Sequence, residues 1–373
     1  MTTPTLALDR VGSAPEKRRQ TLTGYMMAGP AILLMLLFVI SPFFAGIYYS
    51  FTNQRLISGN ETEVVGLRNY QRLLALSTLT VDPEVDEASG DFVRDENGDL
   101  VFPRSRDYTR DEEAYPQYAG LREWFTVQIG NRLTYVLAGD PLFMRSLTNN
   151  FFFALVVIPV QTSLGLLLAM LVNQGLRGQS FFRTLYFAPV VTSMVVAAIV
   201  WRFLYDSNNG LINEMIGALT FGLVGPINWL GNPSVAMWAI IIMSIWQGAG
   251  MQMMLFVAGL QQIPESLYEA ASIDGANGWQ KFRFITIPGL RGIIIFIFLT
   301  ITIAAFQLFD QVLAMTNGGP DDATTTTVFH MFRNGFREQD IGYASTIAVV
   351  FFLIIVAINL IQRYVVRDRD AAR

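Results

Sequence analysis

The chain has 373 residues, 52% of them hydrophobic and 15% charged, whereas soluble domains carry about 25% charged residues. That balance excludes an ordinary water-soluble core and points to a protein whose solvent is partly lipid. With no cysteine and a single histidine, His330, the chain also excludes disulfides, thiolate zinc sites, iron–sulfur clusters, thiol nucleophiles and multi-histidine metal sites.

A hydrocarbon layer of about 30 Å takes roughly 20 helical residues, and a charge at its centre is costly, so charge-free runs mark the spans. Six are predicted. After a tail at 1–20, the first span lies within 21–50 and centres on residues 31–40. The others cover about 146–172, 185–204, 235–260, 293–315 and 341–360, and a tail follows at 367–373. The first run is too long for a signal-peptide apolar region and lacks a small-residue cleavage site, which makes it a retained anchor. Lys17, Arg18 and Arg19 precede the first span, and Arg177 and Arg183 separate the second and third. Lys281, Arg283 and Arg291 separate the fourth and fifth, and Arg363, Arg367 and Arg369 end the chain. Basic residues stay on the cytoplasmic side, so both termini are expected there.

Residues 51–140 form the one long hydrophilic stretch, expected outside with an inserted cap. Acids such as Asp82, Glu84, Asp86, Glu87, Asp95, Glu96, Glu112 and Glu113 outnumber its nine arginines. Asn97-Gly98, flanked by Phe92-Val93 and the apolar run at 100–102, predicts a hairpin with positive φ at both central residues. The spacing of apolar residues at 121–137 predicts a helix, and a small α+β cap competes with an irregular loop.

Spans two, four and six hold no Asp, Glu, Lys, Arg or His, and Arg202 and Asp310 lie near span ends. Proton relays and ion-coupled carriers need intramembrane acids or bases, which disfavours an autonomous secondary carrier. A phosphate-binding loop ends in Gly-Lys-Ser/Thr, but the two lysines follow Glu16 and Gln280, so this chain is not expected to hydrolyse ATP.

Between spans four and five, Pro264 suits a helix start and Gly275 a left-handed helix end. Asn277 with Gln280 forms a capping-box pattern, and Pro288 limits the second helix. This predicts helix, tight turn, helix, with Glu269 and Asp274 exposed and Leu267, Ile273 and Phe284 packing the elbow onto the spans.

This elbow resembles the EAA signature of binding-protein-dependent ABC importer permeases, met here by Glu269, Ala270, Ala271, Gly275, Ile285, Ile287 and Pro288; Ile287 stands where Leu is usual. The resemblance implies an all-α polytopic membrane protein with six transmembrane helices of the type I ABC importer fold and a small extracytoplasmic insert between helices 1 and 2. It also implies a permease core at 141–366, with the elbow at 261–290 seated on an ATPase subunit through Glu269, Ala270, Ala271, Asp274, Gly275, Ile285 and Pro288. The segment from Arg177 to Pro189 and the Thr316-Asn317-Gly318-Gly319-Pro320 loop, with Thr324 to Thr327, resemble the carbohydrate-uptake group. Gly66-Leu67-Arg68-Asn69-Tyr70 and Asp140-Pro141 also match, closest to the larger permease subunit of maltose-type and glycerol-phosphate-type importers. That leaves 75–139 as an insertion.

The partners implied are a second permease in a heterodimer, an ABC ATPase dimer holding ATP and magnesium, an extracytoplasmic sugar-binding protein, lipid and a sugar. No nucleic acid, no metal and no catalytic residue are implied in this chain, and the location implied is a bacterial or archaeal inner membrane. A neutral sugar needs amides, hydroxyls and an aromatic or thioether face. Trp246, Gln247, Gly248, Met251, Gln252, Gln307, Asp310 and Gln311 could supply these, with Gln247 and Gln307 expected to face the path. The same polar residues could equally join helices. In maltose-type permeases the sugar lies against positions matching Gln247, Gly248, Met251 and Gln307, with a tyrosine in place of Met251. Gly318, Gly319 and Pro320 are candidate contacts for the binding protein. An autonomous sugar carrier and a sensory or scaffold membrane protein are the competing readings.

Overall fold

A segment in lipid must satisfy its backbone polar groups internally, and the charge-free runs are accordingly helical in the computed structural model, which describes residues 14–57, 61–86, 91–174 and 178–366. Arg177, Arg367, Arg369, Glu87, the 367–373 tail and residues 1–13 lie outside the described residues. Four helices are long and apolar enough to cross a membrane: Thr23–Ser50, Pro141–Val172, Pro233–Leu260 and Ile341–Tyr364. Two bent pairs complete six spans, Gln179–Val191 with Met194–Leu204 at 99° and Gly278–Gly289 with Arg291–Phe306 at 65°.

The bends correct two expected spans. The third is broken at Thr192 and Ser193, both in extended backbone, just after Pro189. The fifth helix stops at Phe306 rather than running to Met315. Carbonyls at its end are taken from outside the helix, because the Asn150 amide donates to the Ala305 and Phe306 oxygens and the Thr326 hydroxyl to that of Leu308. A short helix, Asp310–Met315, then resumes. Sequence reasoning also missed a nine-residue helix, Leu211–Leu219, between spans three and four.

Span four runs along span two because small residues let their axes approach. A Cβ on Gly165 would come within 2.5 Å of Gln252 Cβ, and one on Gly248 would overlap the Gln161 amide. On another face, a Cβ at Gly250 would strike the Tyr186 carbonyl in span three. Phe153, Ile240, Met253, Phe256, Ile297 and Phe306 fill the core between these spans. Span six packs on the Ser41–Ser50 end of the first span, where the Thr346 hydroxyl donates to the Ser50 carbonyl at 3.0 Å.

The insert is an α+β cap. Strands β1 (Leu76–Val81), β2 (Arg122–Ile129) and β3 (Arg132–Ala138) form an antiparallel sheet in the order β1-β3-β2. The predicted helix at 121–137 is therefore a hairpin. Its apolar residues also fit a period of two, with Tyr135 and Leu137 facing Leu79, Val81 and Leu121, and Gly130, at φ +62°, supplies the two-residue turn. The Asn97-Gly98 hairpin forms, but with positive φ at Gly98 alone. The Asp95 amide donates to the Asp99 carbonyl and the Gly98 amide to the Asp95 carbonyl, the pattern of a three-residue loop with a bulge. Carboxylate oxygen Oδ1 of Asp95 takes the Asn97 and Asp99 amides at 2.9 Å each, which favours this turn over the predicted one.

Candidate coupling elbow and translocation path

The elbow forms through bonds between near neighbours. Pro264 sits just ahead of the helix Glu265–Ile273. Gly275, at φ +78°, ends that helix. Its amide donates to the Ser272 carbonyl and that of Ala276 to the Ala271 carbonyl, closing both bonds of a Schellman cap. Asn277 and Gln280 then complete the capping box, with the Asn277 amide donating to Gln280 Oε1 at 2.7 Å and the Gln280 amide to Asn277 Oδ1 at 2.9 Å. Pro288 does not stop the second helix. A π turn, Phe282–Thr286, leads into Ile287–Gly289, and the bend follows at Leu290. Two side-chain bonds brace the turn: Tyr268 Oη lies 3.0 Å from Thr286 Oγ1, and the Lys281 ammonium donates to Ser272 Oγ at 2.6 Å.

Glu269, Ala270 and Asp274 are exposed, and neither acid makes an ion pair among the described residues. The expected packing of Leu267, Ile273 and Phe284 onto the spans does not occur. Leu267 is half exposed, and Ile273, Trp279 and Phe284 are 87%, 69% and 71% exposed. The braces of Tyr268 and Lys281 hold the elbow instead, which frees the apolar side chains. Ile285 and Pro288 line a groove of about 460 Å³ beneath it, with Ile263, Leu267 and Phe284. Chemically, this is an acid-flanked apolar knuckle on a braced stem.

The residues predicted for the path divide into two sets. Trp246, Met251, Gln307 and Asp310 are exposed, and the Trp246 ring lies 5.4 Å from that of Trp201. Gln247, Gln252 and Gln311 are buried between helices. Gln247 does not face an open surface as expected. Its Nε2 donates to the Thr192 carbonyl at 3.1 Å, at the break in span three, while its Oε1 has no partner. Gln252 Oε1 is also unpartnered, and Gln311 Nε2 reaches Ser244 Oγ at 3.5 Å. Gln247 thus joins span four to span three, where the break exposes a carbonyl that lipid cannot satisfy. Gln161 from span two was missed. Its amide occupies the notch left by Gly248, a pairing of residues 87 positions apart that no local pattern announces.

At the opposite end from the elbow, the loop after span five is also more buried than expected. Gly318, at φ +87°, is enclosed by Thr325 and the Phe329 ring, while Gly319 and Pro320 are half-buried. Gly318 is thus a packing residue, and the exposed tips here are Asn317 and Asp321. Thr324, Thr325, Thr326 and Thr327 are fully buried, with hydroxyls bonded to the Gly319, Gly318 and Leu308 carbonyls and to Ser146. Asn150 clamps the segment, taking the Thr327 amide at 2.8 Å.

Beside it lies a buried polar cluster that the sequence reading did not find. Asp140 Oδ1 caps span two by accepting from the Phe143 amide, and Oδ2 meets His330 Nε2 at 2.8 Å and the Tyr343 hydroxyl at 2.5 Å. Burial pushes the Asp140 carboxyl up, but His330, the Tyr343 hydroxyl and the Phe143 amide outweigh it and hold the carboxyl well below the usual carboxylate range. The Arg72 guanidinium covers the Tyr343 ring at 3.9 Å and pairs with Asp340 at 3.5 Å. The Asp140-Pro141 dipeptide was the one local sign, a cap followed by a first-turn proline.

Residues 161–370 match the family model described as "Binding-protein-dependent transport system inner membrane component". The chain is 28% identical over 353 residues to the trehalose/maltose transport system permease protein MalF of Thermococcus litoralis, covering 95% of this chain and 96% of that protein. It is 38% identical over 238 residues to the lactose transport system permease protein LacF of Rhizobium radiobacter, covering 62% and 79%. Its fold matches a chain in the crystal structure of a bacterial ABC transporter that imports the acidic polysaccharide alginate, with a TM-score of 0.67 at 17% identity over 95% of this chain and 98% of that one. Six spans, the elbow and these matches together place the chain in the family of binding-protein-dependent transport system inner membrane components, the multi-pass permease subunits of ABC importers.

Proposed function

We propose that the chain is one half of a heterodimeric permease that imports a neutral disaccharide or oligosaccharide, such as maltose, trehalose or another α-glucoside. The carrying observation is the elbow, a doubly capped, braced projection that leaves Glu269, Ile273, Trp279 and Phe284 bare for a subunit outside this chain. Sugar permeases among its relatives, and the lack of ionisable residues deep in spans four and five, favour an uncharged substrate.

In this reading an ABC ATPase dimer, which holds the ATP and magnesium, seats on the elbow and its closure moves the bent fifth span. Residues Glu269, Ala270, Ala271, Asp274 and Gly275 form the contact, and Ile285 and Pro288 form the base over which it pivots. Both termini lie on the elbow's side, the cytoplasm. A binding protein delivers sugar at the insert's end, near Gly319 and Pro320. Trp246, Met251 and Gln307 offer the sugar an aromatic face, a thioether and an amide. The sugar must bind the outward-open and inward-open states differently, because equal affinity shifts nothing.

The test is radiolabelled sugar uptake by vesicles containing the full assembly, its binding protein and internal ATP. Uptake of an α-glucoside that needs all of these supports the reading, and uptake by this chain alone on an ion gradient overturns it. Gln307→Ala should weaken uptake of the transported sugar, and unchanged uptake for every sugar removes Gln307 from the path.

A further inference from the structure

The end of the bundle opposite the elbow carries an apolar groove that none of the roles above uses. It has a volume of about 300 Å³ and lies between the helix Thr327–Phe332 with its π turn Arg333–Arg337 and the first two turns of span six. Phe309, Met331, Phe332 and Phe336 form one wall, and Ala344 and Ala348 the other. The small side chains of span six make the trough, and aromatic rings roof it. Phe336 is exposed at its edge.

A cation stands over that roof. The Arg337 guanidinium is 5.8 Å from the Phe332 ring centre and 5.6 Å from that of Phe329. It donates a hydrogen bond to the Asn317 side-chain oxygen, at 2.7 Å. The nearby acids are mostly committed elsewhere: Asp322 and Glu338 both pair with Arg333, and Asp340 pairs with Arg72. Asp321 is exposed on the same loop. Arg337 makes no ion pair among the described residues. A cation held against Phe332, a wall of an apolar trough that runs along the first turns of span six, has the chemistry to receive a phosphate whose hydrocarbon chain lies in that trough.

We propose that this groove is a glycerophospholipid site, with one acyl chain along Ala344 and Ala348 and the phosphodiester against Arg337, in the leaflet opposite the elbow. A segment of a second permease would satisfy the trough but would leave the guanidinium without an anion, which is why the lipid is favoured. The proposal does not depend on which substrate is carried.

The test places photoreactive p-benzoylphenylalanine at Ser345, whose side chain lines the groove, in the assembled transporter in native membranes. Illumination and mass spectrometry should give a glycerophospholipid adduct at that position. An adduct to another polypeptide, or no lipid adduct while the same probe at the exposed Leu353 labels lipid, overturns the site. Native mass spectrometry of the detergent-purified assembly supplies a second reading. Ala348→Phe should lose one retained phospholipid per assembly, and Arg337→Gln should lower its occupancy severalfold. Retention unchanged in both variants overturns the proposal, and the milder Ser345→Leu replaces Ala348→Phe if that variant does not assemble.

Discussion

The two ends of the bundle are built on opposite principles. The elbow is closed by bonds between residues three to eighteen positions apart and leaves its apolar side chains bare. The other end is closed by bonds that join residues 203, 190 and 177 positions apart, and it buries its threonines, Asn150, His330 and Tyr343. A projection held by its own sequence moves as a unit and passes that motion to the spans it joins. A cluster held by Asp140 ties the start of span two to span six, so those elements move together or break a buried charged contact. Force applied at the elbow would therefore turn the spans about a comparatively fixed far end.

Substitutions at four positions can break or sharpen that contrast. The largest effect is expected at the elbow, where Glu269→Lys should reduce sugar uptake to background while the chain still inserts and assembles. Normal ATP-coupled uptake by that variant would remove Glu269 from the contact. Next is Asp140→Ala, which strands a buried imidazole and phenol. Leaving a buried polar group without its partner costs about 1–3 kcal/mol for each group, read as a lower unfolding temperature of the purified assembly with little change at the elbow.

The same carboxylate sets a pH dependence. Its folded value lies below the unfolded one of about 3.9, so its stabilisation is present above that value and is lost as pH falls through the lower folded value. Thermal stability measured from pH 6 down to pH 3 should fall for the parent and flatten for Asp140→Asn. Parallel curves would show that Asp140 does not control it.

Between the two ends, Gly250→Ala drives a methyl into the Tyr186 carbonyl, a backbone atom that cannot rotate away. Overpacking of this kind costs about 1–3 kcal/mol, again read as a thermal shift. The smallest effect is expected for Gln247→Ala, which removes the donor to Thr192 at about 1 kcal/mol. If that variant instead abolishes uptake at unchanged stability, Gln247 acts on the sugar.

The features legible in the chain were the short-range ones. Asn277 and Gln280 announce their box three residues apart, Gly275 announces its left-handed turn, and charge-free runs announce helices. What sequence reasoning missed depended on distant partners. The fifth span ends where Asn150 and Thr326 claim its carbonyls, which a hydropathy profile does not record. The strands at 122–138 carry apolar residues that fit both helical and alternating periods, and only pairing with β1 decides between them. For the path, residue type identified amides but not their direction, because an amide that serves a sugar and one that serves a broken helix look alike in a sequence.

The bare rings of Trp279 and Phe284 also bear on how the protein is made. A copy in which nothing covers them would display a sticky surface in water, inviting chaperones, proteolysis or clumping. Synthesis of this chain is thus expected to keep step with that of whichever subunit covers the surface, and overproduction of it alone should yield little intact material.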